Sequence, residues 1–226
     1  MMNRFLTLAL FFVSVPFLTA AESNTLTEQE KAEGYVLLFD GSVLSPEYWG
    51  SGIDAYPVKD GMFYCKGGQL RTKKEYKDFV FRFQFKLMDG ANNGVGIRAA
   101  EKGDPAYEGM EIQILDNFGL NYKNLQPGQY HGSIYQIVPS KRNAEKHDYL
   151  KPNGEWNEEE ISAVGSHIKV VLNGETIVDA DISKVELDEK TRKAHGGLHN
   201  PKGYICFLGH GSPVEFRNVR VKEIEK

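Results

Sequence analysis

The stretch "DFVFRFQFKLMDG", residues 78–90, alternates without a break. Phe79, Phe81, Phe83, Phe85 and Leu87 fall on one side, and Val80, Arg82, Gln84 and Lys86 on the other. Successive side chains of an extended chain point to opposite faces, so a period of two predicts a strand with one face buried. A face made of large apolar groups needs a second layer to cover it. Asp89-Gly90 then closes the run with a turn signal.

Outward from this strand the same pattern recurs. "GYVLLFDG" (34–41) ends in Asp40-Gly41, and "VKDGMFYCKGGQLRT" (58–72) is punctuated by Asp60-Gly61 and Gly67-Gly68. "NNGVGIRAA" (92–100), "GMEIQILDN" (109–117), "GSIYQIV" (132–138), "SHIKVVLNGETIVDADI" (166–182), "GYICFLGH" (203–210) and "VEFRNVRVKEI" (214–224) continue the series. Asn173-Gly174 is a two-residue hairpin signal. Helical periodicity appears only in short pieces, around 181–194. Many strands, frequent turns, 23 glycines and no βαβ alternation predict an all-β fold of two packed antiparallel sheets, a jelly-roll sandwich.

The chain opens with "MMNRFLTLALFFVSVPFLTAA" (1–21), which has Arg4, an apolar run from Phe5 to Leu18 and a small-residue exit. These are the marks of a secretory signal peptide cleaved before Glu22, not of a membrane span, which needs about 20 apolar residues. The expected product is exported to the periplasm or the extracellular space, with no membrane anchor in the mature chain. Residues 22–33 read as a polar lead-in, flexible or helical, and 34–226 as a single jelly-roll domain, since no repeat or low-complexity linker divides it.

A formal net charge of −4 and the lack of a Lys/Arg block argue against nucleic acid as a partner, because phosphate neutralisation needs a concentrated basic patch. An acidic, aromatic-rich surface fits carbohydrate better. Cys65 and Cys206 are the two cysteines, and export would allow one bridge between them; two separate buried thiols are the alternative. Nucleophile-elbow, catalytic-cysteine and phosphate-loop motifs are absent.

The polar residues inside "YEGMEIQILDN" (107–117) are the first candidates for a site. Alternation puts Met110, Ile112 and Ile114 on the apolar side and Glu111 and Gln113 on the other. Asp116 joins the apolar side in a regular strand, and a bulge near Leu115 would bring it round beside Glu111. In "GVGIRAA" the same alternation opposes Arg98 to Val95 and Ile97, with Gly94 and Gly96 letting a ligand approach the backbone. An Arg beside a Glu can hold it ionised and donate to hydroxyls, and it equally describes a surface ion pair of little worth.

His210 stands at a strand end between Gly209 and Gly211. Histidine titrates near neutrality, which suits a general acid or base, and a surface loop histidine is the plain alternative. Trp156 in "NGEWNE" (153–158) either fills core or stacks on a sugar ring. Histidines 131, 147, 167, 195 and 199 show no metal-binding spacing, so no metal ligands are assigned.

Together, "LLFDG" (37–41), "GVGIRA" (94–99), "YEGMEIQILD" (107–116), "NGEWNE" (153–158), "LNGETIVD" (172–179) and "HGSPVEFRNVRV" (210–221) resemble the 3-keto-disaccharide hydrolase domain family over roughly residues 35–225. The resemblance implies a concanavalin A-like jelly roll acting on a glycoside or oligosaccharide whose C3 hydroxyl has become a ketone. A C3 ketone acidifies the C2 proton. A base removes it, the glycosidic oxygen leaves C1 by elimination, and water adds back. On this reading Glu111 and His210 are the acid/base pair, and Arg98, Gln113, Asp116 and Trp156 contact substrate. No cofactor is expected, and a carbonyl-polarising divalent metal is left open.

Two alternatives stand beside it. "EIQILD" (111–116) is similar to the ExDxxE strand of laminarinase-like glycoside hydrolases, with Gln113 and Asp116 departing from that pattern. A non-catalytic carbohydrate-binding module is the other, since many jelly rolls only bind sugar.

Overall fold

The computed structural model describes residues 23–212 and 214–225, so the expected signal peptide lies outside the described residues. Among the described residues thirteen strands run in chain order: β1 (Val36–Leu37), β2 (Trp49–Ser51), β3 (Val58–Lys59), β4 (Met62–Tyr64), β5 (Gly68–Thr72), β6 (Phe79–Leu87), β7 (Asn92–Ala99), β8 (Met110–Leu115), β9 (Trp156–Val164), β10 (His167–Leu172), β11 (Glu175–Asp181), β12 (Tyr204–Gly209) and β13 (Val214–Glu223). One sheet has the order β11-β10-β9-β6-β13-β4-β3, with β1 also paired to β13; the other has the order β2-β5-β12-β7-β8. All pairings are antiparallel, and the two sheets form a jelly-roll sandwich.

β6 lies at the centre of the larger sheet, flanked by β9 and β13. Its four phenylalanines are fully buried, as their alternation requires, while Val80, Arg82, Gln84 and Lys86 reach the outer face. Across the sandwich Phe83 meets Phe207 of β12 edge to face at 5.8 Å, and Phe207 meets Phe216 of β13 at 4.4 Å. Burying each such ring contributes about 1.5–3 kcal/mol relative to exposure, so this aromatic cluster fixes how the sheets stack.

The Asn173-Gly174 turn joins β10 to β11, with Leu172 opposite Glu175 and both turn residues left-handed, at φ 49° and 87°. That is the geometry a two-residue hairpin demands. The lead-in contains α1 (Glu28–Ala32), started by a capping box between Thr27 and Glu30. The helical pieces expected around 181–194 are a 3-10 turn at Ile182–Lys184 and α2 (Glu189–Ala194).

Cys65 and Cys206 are free, buried thiols. Cys65 belongs to the main core, whereas Cys206 packs with Ala99, Ala106 and Leu208 on the other face of the smaller sheet. The sheet itself separates them. Burial pushes the Cys206 thiol up to about 12, despite Arg71 beside it. Among the described residues no helix is long and apolar enough to cross a membrane.

Candidate active site

The site lies on the outer face of the smaller sheet. β8 turns Met110, Ile112 and Ile114 into the core and Glu111 and Gln113 outward. β7 runs beside it without a register shift, with Gly96 opposite Glu111 and Gly94 opposite Gln113. Beyond β8, residues 132–135 extend the sheet: Gly132 N–H donates to Gln113 O, Gln113 N–H to Ser133 O, and Tyr135 N–H to Glu111 O, at 2.7–3.0 Å. The loop 100–109 folds back over the same face, laying Pro105 against Leu208 above Gly96.

These pieces enclose a cleft of about 130 Å³, lined by Asn92, Asp104, Tyr107, Glu111, Gln113, Tyr135 and His210, with Ala106 and Leu208 as apolar wall. Glu111 is 5% exposed, and its Oε1 has no hydrogen-bond partner. Burial, reinforced by the Asp104 charge, pushes its carboxyl up to about 8. At neutral pH it is therefore mostly a neutral acid, the form that an unpartnered buried carboxyl oxygen tolerates.

Gly94 explains how the carboxyl fits. A Cβ there would stand 2.7 Å from the Glu111 carboxyl carbon. The space expected to admit a ligand at Gly94 is taken by Glu111 itself, and that at Gly96 by Pro105 and Leu208.

Asp104 is held by its own turn. Its Oδ1 accepts from Ala106 N–H at 3.0 Å, and its backbone carbonyl accepts from the N–H groups of Tyr107 and Glu108. Tyr107 packs on His195 with ring centroids 5.0 Å apart, and Asn200 Nδ2 donates to Glu108 O at 2.9 Å, so the loop is buttressed from behind. Burial and the neighbouring Tyr135, Asp104 and Glu111 raise the Tyr107 hydroxyl, keeping it a proton donor. His210 continues the outward row of Cys206 and Leu208 along β12 to the rim of the cleft.

The end of β8 is anchored to the opposite sheet. Leu115 N–H donates to His131 Nδ1 at 3.2 Å, which leaves the proton on Nε2 to bond Glu159 Oε2 at 2.9 Å. The imidazole stacks on Phe85 at 5.1 Å. Glu159 is fully buried, and desolvation raises its carboxyl pKa.

Three expected substrate contacts lie elsewhere. Arg98 does not share the cleft. It is left-handed at φ 49°, where a bulge sets two residues of β7, Ile97 and Arg98, against one of β12, Ile205, between Gly96↔Cys206 and Ala99↔Tyr204. Its guanidinium instead donates to Lys77 O at 2.9 Å and Gly165 O at 2.6 Å and pairs with Asp78 at 3.3 Å. No bulge turns Asp116 round either: it accepts from Gly90 N–H, Phe118 N–H and Asn153 Nδ2, fastening a turn. Trp156 sits on the outer face of the larger sheet, opposite Lys86 and under the Arg217 guanidinium at 4.0 Å. Of the expected site residues, Glu111, Gln113 and His210 come together; Asp104, Tyr107, Tyr135 and Asn92 join them from positions the sequence reading did not single out.

A larger concavity of about 900 Å³ involves Tyr48, Lys73, Lys74, Tyr76 and Glu223 at another edge. Its carboxylates are exposed and Lys74 is already paired with Glu223, so it offers no poised acid or base. Among the described residues no group of three or more His, Cys, Asp or Glu side chains is arranged to hold a metal ion.

The fold and the cleft define a jelly-roll protein with a buried, neutral carboxyl at the centre of a small polar site. The chain belongs to the 3-keto-alpha-glucoside-1,2-lyase-like domain family, whose profile matches residues 34–222. It is 26% identical over 255 aligned positions to a 3-keto-disaccharide hydrolase of Bacteroides thetaiotaomicron, covering 92% of this chain and 84% of the relative. Two crystal structures from Parabacteroides distasonis, each described as a "putative glycosyl hydrolase", share the fold. One has a TM-score of 0.75 at 26% identity, covering 90% of this chain and 100% of that one. The other has a TM-score of 0.73 at 28% identity, covering 84% and 99%.

Proposed function

We propose that this protein cleaves glycosides whose C3 hydroxyl has been oxidised to a ketone, by elimination followed by hydration. The observation that carries the proposal is Glu111, a desolvated carboxyl that keeps its proton near neutrality beside amide and phenol groups. Elimination needs an acid for the departing glycosidic oxygen, and a neutral carboxyl is suited to that role. His210 at the rim is the base that takes the C2 proton. The electron pair passes through the enolate, expels the oxygen from C1 and leaves a C1=C2 double bond beside the restored ketone. Glu111 gives its proton to the leaving oxygen, and water then adds OH to C1 and H to C2.

The enolate oxygen needs donors while it carries charge. With Arg98 turned away, those donors are neutral: the Gln113 amide and the Tyr107 and Tyr135 hydroxyls. The family and the named relative support the substrate class. The leader at residues 1–21 supports export, with the reaction in the periplasm or outside the cell.

One observation favours a second reading. Asp104 and Glu111 are two carboxyl groups facing one cleft, as direct glycoside hydrolysis requires. Paired native and 3-oxidised glycosides separate the two. Release of aglycone from the oxidised partner alone is expected, and release from the native partner alone would favour direct hydrolysis. Release from neither would leave a carbohydrate-binding module.

A further inference from the structure

The cleft that holds Glu111 measures about 130 Å³. Sites that enclose a whole small ligand typically measure about 300–1,000 Å³, so the cleft has room for the reacting ring and little else. A second groove, of about 440 Å³, is lined by Gln126, Gln129, Gln136 and Asp188 together with the apolar Ile137 and Pro139. Two elements connect the spaces. The first is the tight turn 134–138, closed by reciprocal bonds of 2.9 Å between Ile134 and Val138, which turns Tyr135 to the cleft and Gln136 to the groove. The second is α2: Thr191 lines the groove, His195 N–H donates to Thr191 O at 3.0 Å, and the His195 ring packs on Tyr107 in the cleft wall. Thr191 and His195 stand about one helical turn apart, roughly 6 Å along the axis, a separation that a second ring would bridge.

We propose that this amide-lined groove receives the leaving part of the substrate, a second sugar or another polyhydroxylated group, while the oxidised ring occupies the cleft. The assignment rests on the reaction proposed above. Glutamine amides supply both donors and acceptors, the combination that sugar hydroxyls satisfy, and Ile137 and Pro139 meet the ring's C–H faces. Gln129 is already oriented: its Oε1 accepts from Gln126 N–H at 2.8 Å, which leaves the Nε2 hydrogens outside that bond. Gln136 is held by its N–H donating to Gly128 O at 2.9 Å. Among the described residues no Lys or Arg lines the groove, and the Asp188 carboxylate there accepts from Thr191, so the groove disfavours an anionic leaving group.

The test compares kcat/KM for a 3-keto-disaccharide with that for the methyl 3-keto-glycoside in wild type, Gln129→Ala and Gln136→Gly. Glycine suits the left-handed backbone at position 136, where φ is 58°, and a melting curve checks folding. The disaccharide-to-methyl ratio is expected to fall at least tenfold in each variant, through KM. An unchanged ratio overturns the proposal. A second arm uses the unoxidised sugars and needs no turnover: amide NMR shifts of Gln129, Gln136 and Thr191 should move with disaccharide and stay with methyl glycoside. If wild type cleaves neither oxidised substrate, the reaction fails, and this arm still decides the groove. No response to disaccharide there would overturn it.

Discussion

The carboxyl group of Glu111 lies over Gly94, where any other residue would carry its Cβ. The atoms met are those of the Glu111 side chain from Cγ outward, with no backbone atom among the three nearest, so alanine at 94 displaces the carboxyl without opposing the strand. Gly94→Ala is expected to lower kcat/KM at least tenfold while Tm moves by only a few degrees. Steady-state kinetics beside a melting curve reads both. An active Gly94→Ala enzyme would mean that the position of the carboxyl is unimportant.

Glu111 should also imprint a pH dependence on stability. Its folded carboxyl titrates at about 8, against 4.5 ordinarily. Between those values the native state holds a proton that the unfolded chain releases, so stability falls as pH rises. It is fully present below pH 4.5 and lost through about pH 8. The slope is about 1.4 kcal/mol for each pH unit crossed. Glu111→Gln removes it, so the variant gains on wild type as pH rises; denaturant titrations at pH 5, 6.5 and 8 measure the difference.

Asp104 reaches the chemistry through Glu111. Its negative charge helps to keep the Glu111 proton in place, second to burial. Asp104→Asn removes the charge and retains an Oδ1 for the Ala106 N–H. Glu111 then ionises at lower pH, and the basic limb of kcat/KM is expected to move down in pH with little change in Tm. Asp104→Ala, which loses the bond as well, is the comparison for a merely structural role.

Arg98 is expected to behave as structure. It joins the kinked end of β7 to Asp78, Lys77 and Gly165 as a buried ion pair, and breaking such a pair by removing one partner costs about 3–5 kcal/mol. Arg98→Ala should lower Tm markedly while the folded enzyme keeps its KM. A KM effect with unchanged Tm would return Arg98 to the substrate.

These outcomes trace which parts of the molecule the sequence exposes. Period two made β6 and its buried phenylalanines readable, and the parity of Met110, Ile112 and Ile114 against Glu111 and Gln113 followed from the same rule. The rule fails where the backbone departs from a regular strand. Nothing marks Arg98, a non-glycine residue, as left-handed, and one inserted residue there redirects its side chain. Asp116 and Trp156 had the right chemistry in the wrong place, one drawn into a turn and the other onto the far sheet. Asp104 and Tyr107 come from an irregular loop with no periodicity to read, and Tyr135 from the 132–138 run, which was expected as a strand and instead forms a tight turn with isolated bridges. The Asp-Pro pair at 104–105, followed by Ala106 before Tyr107, was the available sign of a turn folding back.

If Glu111 is the acid in cleavage of 3-keto-glycosides, the cost of losing it depends on the leaving group. Release from an alkyl and a 4-nitrophenyl 3-keto-glycoside is measured with wild type and Glu111→Gln. An alkoxide needs a proton to depart and a nitrophenolate hardly does. A loss of about 10² or more is expected on the alkyl substrate and a small loss on the nitrophenyl one. Equal losses on both, or no release of either by wild type, would contradict that role for Glu111.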